Sequence, residues 1–317
     1  MKENRNSLNK SPLVSVIIPN YNHAKYLPTR IESVLSQTYK NYEVIILDDN
    51  STDNSIDIIK RYEDNPHVSH IILNNKNSGS TFIQWEKGFN VAKGELIWIA
   101  ESDDDCESIL LETLTKEFIQ DENCVLAFCK SIKINSDGKP FDKVGFEVSL
   151  HMSGLEFIKK HLCHHNYIAN ASGVVFKKST LEKIDWTFTN YKGCGDWIAW
   201  IEIAKCGNIA YSNLPLNFFR IHNTNTTKKQ AFSGKNEIEG MEVYRFMRKK
   251  GYIGYKEMLR ARISHIYSVK YGKQHTFYSE ETREEIMECW ETNVFINLFI
   301  KIIHLIQSHT KIQIIKR

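Results

Sequence analysis

The sequence predicts an α/β fold, a mostly parallel central sheet with helices on both faces, followed by an α-helical C-terminal extension. Two observations carry this prediction. Over residues 14–134, short β-branched runs alternate with amphipathic stretches, the pattern of βαβ crossovers. From about residue 236 only the helical period remains. Charge divides at a similar place: residues 1–220 carry 24 Lys/Arg against 28 Asp/Glu, and residues 221–317 carry 17 against 10. All 13 aspartates lie in the first part, so the two parts are expected to do different work.

The elements follow in order. Val14-Ser-Val-Ile-Ile18, ended by Pro19, reads as a buried strand. Leu27, Ile31, Val34 and Leu35 recur at helical spacing, with Pro28 near the first turn. Tyr42–Leu47 is the second strand and runs into Asp48-Asp49. Ser51, Thr52 and Asp53 offer N-caps to a helix carrying Ile56, Ile59 and Tyr62. Val68–Leu73 is a third strand and Thr81–Ala92 a third helix, closed by Gly94. Leu96–Ala100 is a fourth strand, running into Glu101-Ser-Asp-Asp-Asp105 and a helix around Leu110, Leu114 and Phe118. Val125–Ile134 is a fifth strand, ended by the turn Asp137-Gly138. Beyond 150 come a helix near 153–162, a strand at Gly173–Lys177, an apolar helix at 196–205 and a β segment at Ile209–Ile221. Helices are expected at 236–250, 255–271, 280–290 and 293–307.

Composition excludes other classes. With 42% hydrophobic and 25% charged residues and only 6 Pro, the chain is neither disordered nor low in complexity. Seven cysteines without a CxxC pair argue against a disulfide framework and for reduced thiols in a cytoplasmic protein. The first twelve residues have no apolar run, so no secretory signal is expected. The apolar stretch Val294–Ile306 is interrupted by Asn297, Lys301 and His304 and falls short of the ~20 residues needed to span a bilayer.

In a parallel sheet, ligands bind beyond the carboxyl ends of the strands. Two of those ends are aspartate clusters, Asp48-Asp49 and Asp103-Asp104-Asp105. Neighbouring carboxylates repel one another unless a cation lies among them, and hard cations such as magnesium or manganese take carboxylates together with phosphate oxygens. The alternative is a solvated loop capping the next helix. Gly193-Cys-Gly195-Asp196-Trp197 frees the backbone to present Asp196 at the start of an apolar helix, where a carboxylate is also a good cap.

The runs Val14-Ser-Val-Ile-Ile-Pro-Asn-Tyr-Asn22, Ile31-Glu-Ser-Val-Leu-Ser-Gln-Thr38, Tyr42–Asp53 and Ala92-Lys-Gly-Glu-Leu-Ile97, continuing to Glu101-Ser-Asp-Asp104, resemble family 2 inverting glycosyltransferases of the GT-A fold. The likeness covers roughly residues 12–222. It implies a nucleotide-sugar donor, UDP-linked, and a divalent cation, manganese or magnesium. It also implies a glycan or lipid-linked acceptor in bacterial surface polysaccharide synthesis. Pro19, Tyr21, Asn22 and Asp49 would hold the nucleobase, and Lys87 the donor. Asp103 and Asp104 would reach the ribose and the metal, with Glu101 at the first position of the DxD motif. Asp196 matches the catalytic base. Arg220 and His222, in Phe219-Arg-Ile-His-Asn223, match a closing element that reaches the diphosphate and the metal, although a lone histidine is also an ordinary surface group. Two departures stand out: Glu101 where the family often has Asp, and Trp85-Glu86 where many relatives have Arg-Asn before the glycine matched by Gly88. Trp85, with Gln84 and Lys87, is expected either to shape donor selection or simply to pack the third helix.

The resemblance implies domains at 13–222 and 223–317, after a polar tail at 1–12, with a polar lid at Thr224–Ser233. A non-catalytic sugar-nucleotide-binding protein is the alternative. No G-x-G-x-x-G follows the first strand, against a dinucleotide oxidoreductase. His161, Cys163, His164 and His165 are too tightly spaced for a zinc site and read as a helix end. Arg248-Lys-Lys250 reads as a solvated helix end, and no nucleic acid partner is expected. The last helix, basic and broadly apolar, is expected either to lie on the inner face of the plasma membrane or to pack on the catalytic domain.

Overall fold

The computed structural model describes residues 11–222, 233–272 and 278–309, and the chain divides into two compact units. The first holds residues 11–158 and 166–222; the second holds 159–165 and the described residues from 233 onward. The expected polar tail as far as residue 10, and the expected lid as far as residue 232, lie outside the described residues.

In the first unit the strands are β1 (Val14–Asn20), β2 (Tyr42–Asp48), β3 (Val68–Leu73), β4 (Leu96–Ile99), β5 (Asp105–Cys106), β6 (Cys124–Ile134), β7 (Pro140–Val144), β8 (Leu150–Ser153), β9 (Val174–Lys177) and β10 (Asn208–Arg220). They form one sheet of order β3-β2-β1-β4-β9-β6-β10-β5, with β7 on β6 and β8 on β10. β3, β2, β1 and β4 are parallel, and β6 is parallel to β10. β9 runs antiparallel to both β4 and β6, so those two point the same way across it. The carboxyl ends of β1, β2, β4, β6 and β10 therefore share one edge. β5, β7 and β8, which hydropathy does not mark, are short or exposed antiparallel additions.

Alternation along β1 explains the helices on both faces. Val14, Val16 and Ile18 face a core with Ile31 and Val34 of α1 (Leu27–Leu35) and Leu110, Leu111, Leu114 and Phe118 of α4 (Leu110–Gln120). Ile17 points the other way, toward α3 (Thr81–Val91), where Gly88 admits it: a β-carbon on Gly88 would lie 2.6 Å from Ile17 Cγ2. The helix after β2, α2 (Ser55–Lys60), begins later than its candidate caps suggest. Ser51 Oγ donates instead to Asp48 (2.6 Å), and the Thr52 amide to Asn22 Oδ1 (2.7 Å). A short α5 (Gly154–Phe157) and α6 (Gly195–Ala204) complete this unit.

The second unit contains α7 (Lys235–Lys249), α8 (Tyr255–Tyr271), α9 (Glu280–Cys289) and α10 (Val294–His309). Its core centres on Trp290, fully buried, with the His265 ring stacked on it at 4.3 Å and its indole N–H donating to the Glu237 carbonyl. His161 ends a helical turn, its carbonyl accepting from the His164 amide, and Arg248, Lys249 and Lys250 are exposed at the end of α7.

Candidate active site

The shared carboxyl edge gathers the polar residues into several neighbourhoods. Where β2 ends, Asp49 is buried and bound on both oxygens by neutral donors. Oδ1 accepts from Asn74 Nδ2 (2.6 Å), Gln84 Nε2 (2.9 Å) and the Ser78 amide (2.9 Å), and Oδ2 from Ser78 Oγ (2.7 Å). Lys87 Nζ donates to Asn74 Oδ1 (2.8 Å), so Asp49 and Lys87 join through that side chain. Pro19 lies within β1 opposite Leu47, and Tyr21 beyond it is exposed. Asn22, in the left-handed region at φ 55°, accepts from the Thr52 amide and pins the β1 loop to the β2 loop.

Beyond β4 the acids have three different partners. Asp103 Oδ2 meets His222 Nε2 at 2.9 Å. His23 stands beside them, its ring 5.5 Å from that of His222 and nearly perpendicular to it, with Nδ1 held by Ser102 Oγ at 2.8 Å. One ligand atom from each of His23, Asp103 and His222 lies within 4.8 Å of the others. Asp104 turns elsewhere. Its Oδ1 accepts from the Arg220 amide (2.8 Å) and its Oδ2 from Ser172 Oγ (2.6 Å) and Asn170 Nδ2. Glu101 takes the third course, accepting from the Trp85 indole N–H at 2.9 Å.

Of the four residues expected around a metal, the structure thus brings Asp103 and His222 together and directs Asp104 and Glu101 to other partners. The physical reason lies in the loop's partners. The Trp85 indole draws Glu101 toward α3, while the Arg220 amide, Ser172 and Asn170 hold Asp104, so only Asp103 is left to face the imidazoles. His23, which sequence reasoning did not single out, is the third member of the cluster. The quoted motif stops at Asn22, one residue short of it.

The electrostatics follow from these partners. Burial alone would raise the Asp103 carboxyl, but the His222 hydrogen bond and the charges of His23 and His222 bring it below the usual range. Burial, reinforced by His222, lowers the His23 imidazole despite the attraction of Asp103, which favours the neutral form that binds metals. Glu101 is pushed up to about 8 by burial and by the Asp103 charge, and Asp104 is raised for the same two reasons. Arg30, wholly buried on α1, opposes both shifts and donates through Nε to the Glu101 carbonyl at 3.0 Å. Two imidazoles and one carboxylate this close together are a donor set that could hold a divalent cation.

Arg220 supports the loop from outside. Nε donates to the Asp103 carbonyl (2.7 Å) and Nη1 to the Asn135 carbonyl (3.1 Å), and the guanidinium lies 4.8 Å from the centre of the Tyr26 ring. Asp196 sits in the first turn of α6, where its carboxylate complements the helix dipole. Its Oδ1 accepts from the Trp197 amide (2.7 Å) and its Oδ2 from Asn166 Nδ2 (3.2 Å). Gly195 lets the start of α6 reach this position, since a β-carbon there would lie 2.5 Å from the Phe188 carbonyl oxygen. Trp85 and Trp200, with ring centres 6.0 Å apart, join α3 to α6. Trp85 therefore packs the third helix and also binds Glu101, so the two departures from the family pattern touch each other. A larger cavity of about 720 Å³, lined by Lys93, Leu96, Lys177 and Trp186, opens at the amino end of β4, away from these acids.

Residues 15–184, more than half of the chain, match the model of Glycosyl transferase family 2. The chain belongs to this family. The match takes in His23, Asp49 and Glu101–Asp104 and ends before Asp196, Arg220 and His222. Among the relatives of this glycosyltransferase is TuaG of Bacillus subtilis (strain 168), a teichuronic acid biosynthesis glycosyltransferase by name. It is 29% identical over 228 residues, 72% of this chain and 86% of TuaG. The hyaluronan synthase of Pasteurella multocida is 36% identical over 132 residues, 41% of this chain but only 13% of that much longer protein. Residues 1–349 of S. aureus TarS, solved in complex with UDP-GlcNAc, superpose with a TM-score of 0.66 at 16% identity, over 87% of this chain and 79% of that one. That likeness establishes the GT-A type of fold.

Proposed function

We propose that this glycosyltransferase moves a sugar, with inversion, from a nucleotide-sugar donor to a growing glycan in polysaccharide synthesis. The convergence of His23, Asp103 and His222 where β1, β4 and β10 end carries the reading. Teichuronic acid and hyaluronan in the names of the relatives, and UDP-GlcNAc in the TarS complex, support a polysaccharide product and a UDP-linked donor. His23, Asp103 and His222 would hold a divalent cation, which when bound offsets the charge of the leaving diphosphate. Arg220, the last residue of β10, holds the 101–104 loop twice, through its amide on Asp104 and its guanidinium on the Asp103 carbonyl. Asp49 and Asn22 fix the loops that form the nucleobase side. Asp196 takes the proton of the acceptor hydroxyl as that oxygen attacks the anomeric carbon, while Asn166 and the Trp197 amide hold its carboxylate in place.

A panel of nucleotide sugars, read by thermal shift with and without manganese and then by donor turnover, tests this. Asp103→Ala is expected to abolish metal-dependent donor binding. Asp196→Asn should retain binding and lose about 100-fold or more in turnover, the scale of a general base. Undiminished turnover in Asp196→Asn would refute the assignment of the base. Binding without turnover of any donor in the panel would make the chain a sugar-nucleotide-binding protein.

A further inference from the structure

Helix α10 is apolar on two opposite sides. Ile300 and Ile303 are buried against the helical unit, while Phe295, Leu298, Phe299, Ile302, Leu305 and Ile306 are exposed, Phe295 by 83%. Spacing of three, four and seven residues lines the exposed set along one stripe. A monomer rarely leaves so continuous an apolar stripe in water.

The surrounding charge indicates what covers it. Glu291, in the turn before α10, lines a cavity of about 390 Å³ together with Arg245, Arg248, Lys249 and Arg262. That lining holds one acid and four cations, and Glu242, 2.5 Å from Arg245 Nη1, is the second acid on the cluster. The Glu291 carboxylate accepts from Arg262 Nη2 (2.8 Å) and Arg245 Nη2 (3.1 Å), whereas Arg248 and Lys249 are exposed. Arg262 Nε is buried without a hydrogen-bond partner. After Glu291 the sequence adds Lys301, Lys311, Lys316 and Arg317 and no acid. A second copy of the chain would bring these like charges together. An anionic bilayer instead offers acyl chains to the stripe and phosphates to the cations. Among the described residues no single helix is long and apolar enough to cross a membrane, and α9 and α10 pass by length and composition only as a pair bent by 117°. The stripe, with Ile300 and Ile303 buried on the other side of α10, suits a helix lying in the plane of the interface.

We propose that the helical unit docks on an anionic lipid surface, with the α10 stripe inserted at the acyl boundary and Arg248 and Lys249 against headgroup phosphates. The test is flotation of the full chain with phosphatidylcholine vesicles, with and without about 40% phosphatidylglycerol. Binding should be at least about tenfold stronger to the anionic vesicles and should weaken with salt. Arg248→Ala and Lys249→Ala should each weaken it about fivefold. Phe295→Ser with Phe299→Ser should remove it, and since both residues are exposed, circular dichroism should show an unchanged melt. Failure to float with anionic vesicles overturns the proposal, as does flotation indifferent to the phenylalanine pair. A concentration-dependent dimer, lost in the phenylalanine variant and formed without vesicle binding, would assign the stripe to a second copy and also overturn it. Each readout is independent of donor binding, so glycosyl transfer and docking can fail separately.

Discussion

At the end of β2, Asp49 is held on both oxygens by amide and hydroxyl groups; at the end of β4, Asp103 faces two imidazoles. Both lie on the same edge of the same sheet, and both come from runs of adjacent acids. Neutral donors satisfy a carboxylate completely and hold a loop. An imidazole nitrogen that gives up its proton changes from hydrogen-bond donor to metal ligand, which an amide or hydroxyl donor does not readily do. Partner chemistry, rather than acidity, separates a scaffold from a candidate centre.

The largest effect expected of this difference is on metal affinity. His23→Ala should weaken manganese binding by about 100-fold or more, since removing even an outer-shell partner of a metal ligand costs 10–100-fold. Asp49→Asn should leave manganese affinity within about twofold, although its loop loses a charged acceptor. Isothermal titration with manganese in the presence of UDP measures both. Equal losses in the two variants would erase the distinction between the clusters.

Much of this contrast was hidden from the sequence, and for definable reasons. The strands and helices are legible because burial on both faces makes a strand a short β-branched run, as in Val14–Ile18, and burial on one face gives a helix a period of 3.6, as in Leu27, Ile31 and Val34. β7 carries no such signal, being mostly exposed. Asp103 and Asp104 are equivalent as letters. Only the return of β10, with the Arg220 amide on Asp104 and His222 on Asp103, assigns them different partners. His23 and His222 are almost the whole domain apart in sequence, and a lone histidine has no spacing to betray its role; the resemblance named His222 and stopped one residue short of His23. The aspartates could be read because they follow apolar strands directly. The resemblance supplied Asp196, whose spacing alone also fits a helix-stabilising acid.

A middle-sized effect separates Glu101 from Asp103 within one loop. Glu101 answers to an indole, so Trp85→Phe, which deletes the N–H donor and leaves a cavity where the second ring packed, should cost about 1–3 kcal/mol of stability for the donor and more for the cavity. Manganese affinity should change by less than about threefold, because Glu101 stands outside the His23–Asp103–His222 group. Urea unfolding and metal titration on the same variant provide the two numbers. A loss of metal affinity as large as that of His23→Ala would make the Trp85–Glu101 pair part of the centre.

The smallest effect concerns a third carboxylate, at the amino edge of the sheet, built like Asp49 but far from any chemistry. Glu43 Oε1 accepts from Ser15 Oγ (2.6 Å) and the Lys93 amide (2.7 Å), and Ser15 Oγ accepts in turn from the Gly94 amide (2.7 Å). Burial would raise the Glu43 carboxyl, but these bonds outweigh it and hold it below the usual range. A carboxylate lowered on folding adds stability above the ordinary Glu value of about 4.3, and that stability is lost as pH falls through the lowered value. Glu43→Gln should therefore cost about 1 kcal/mol at pH 7, with the gap to the native chain closing as the buffer is taken toward about pH 3. Urea unfolding at a series of pH values follows the gap directly. A gap constant across that range would mean that the amide disturbs packing, and that the Ser15 hydroxyl and the Lys93 amide hold Glu43 in place without favouring its charged form.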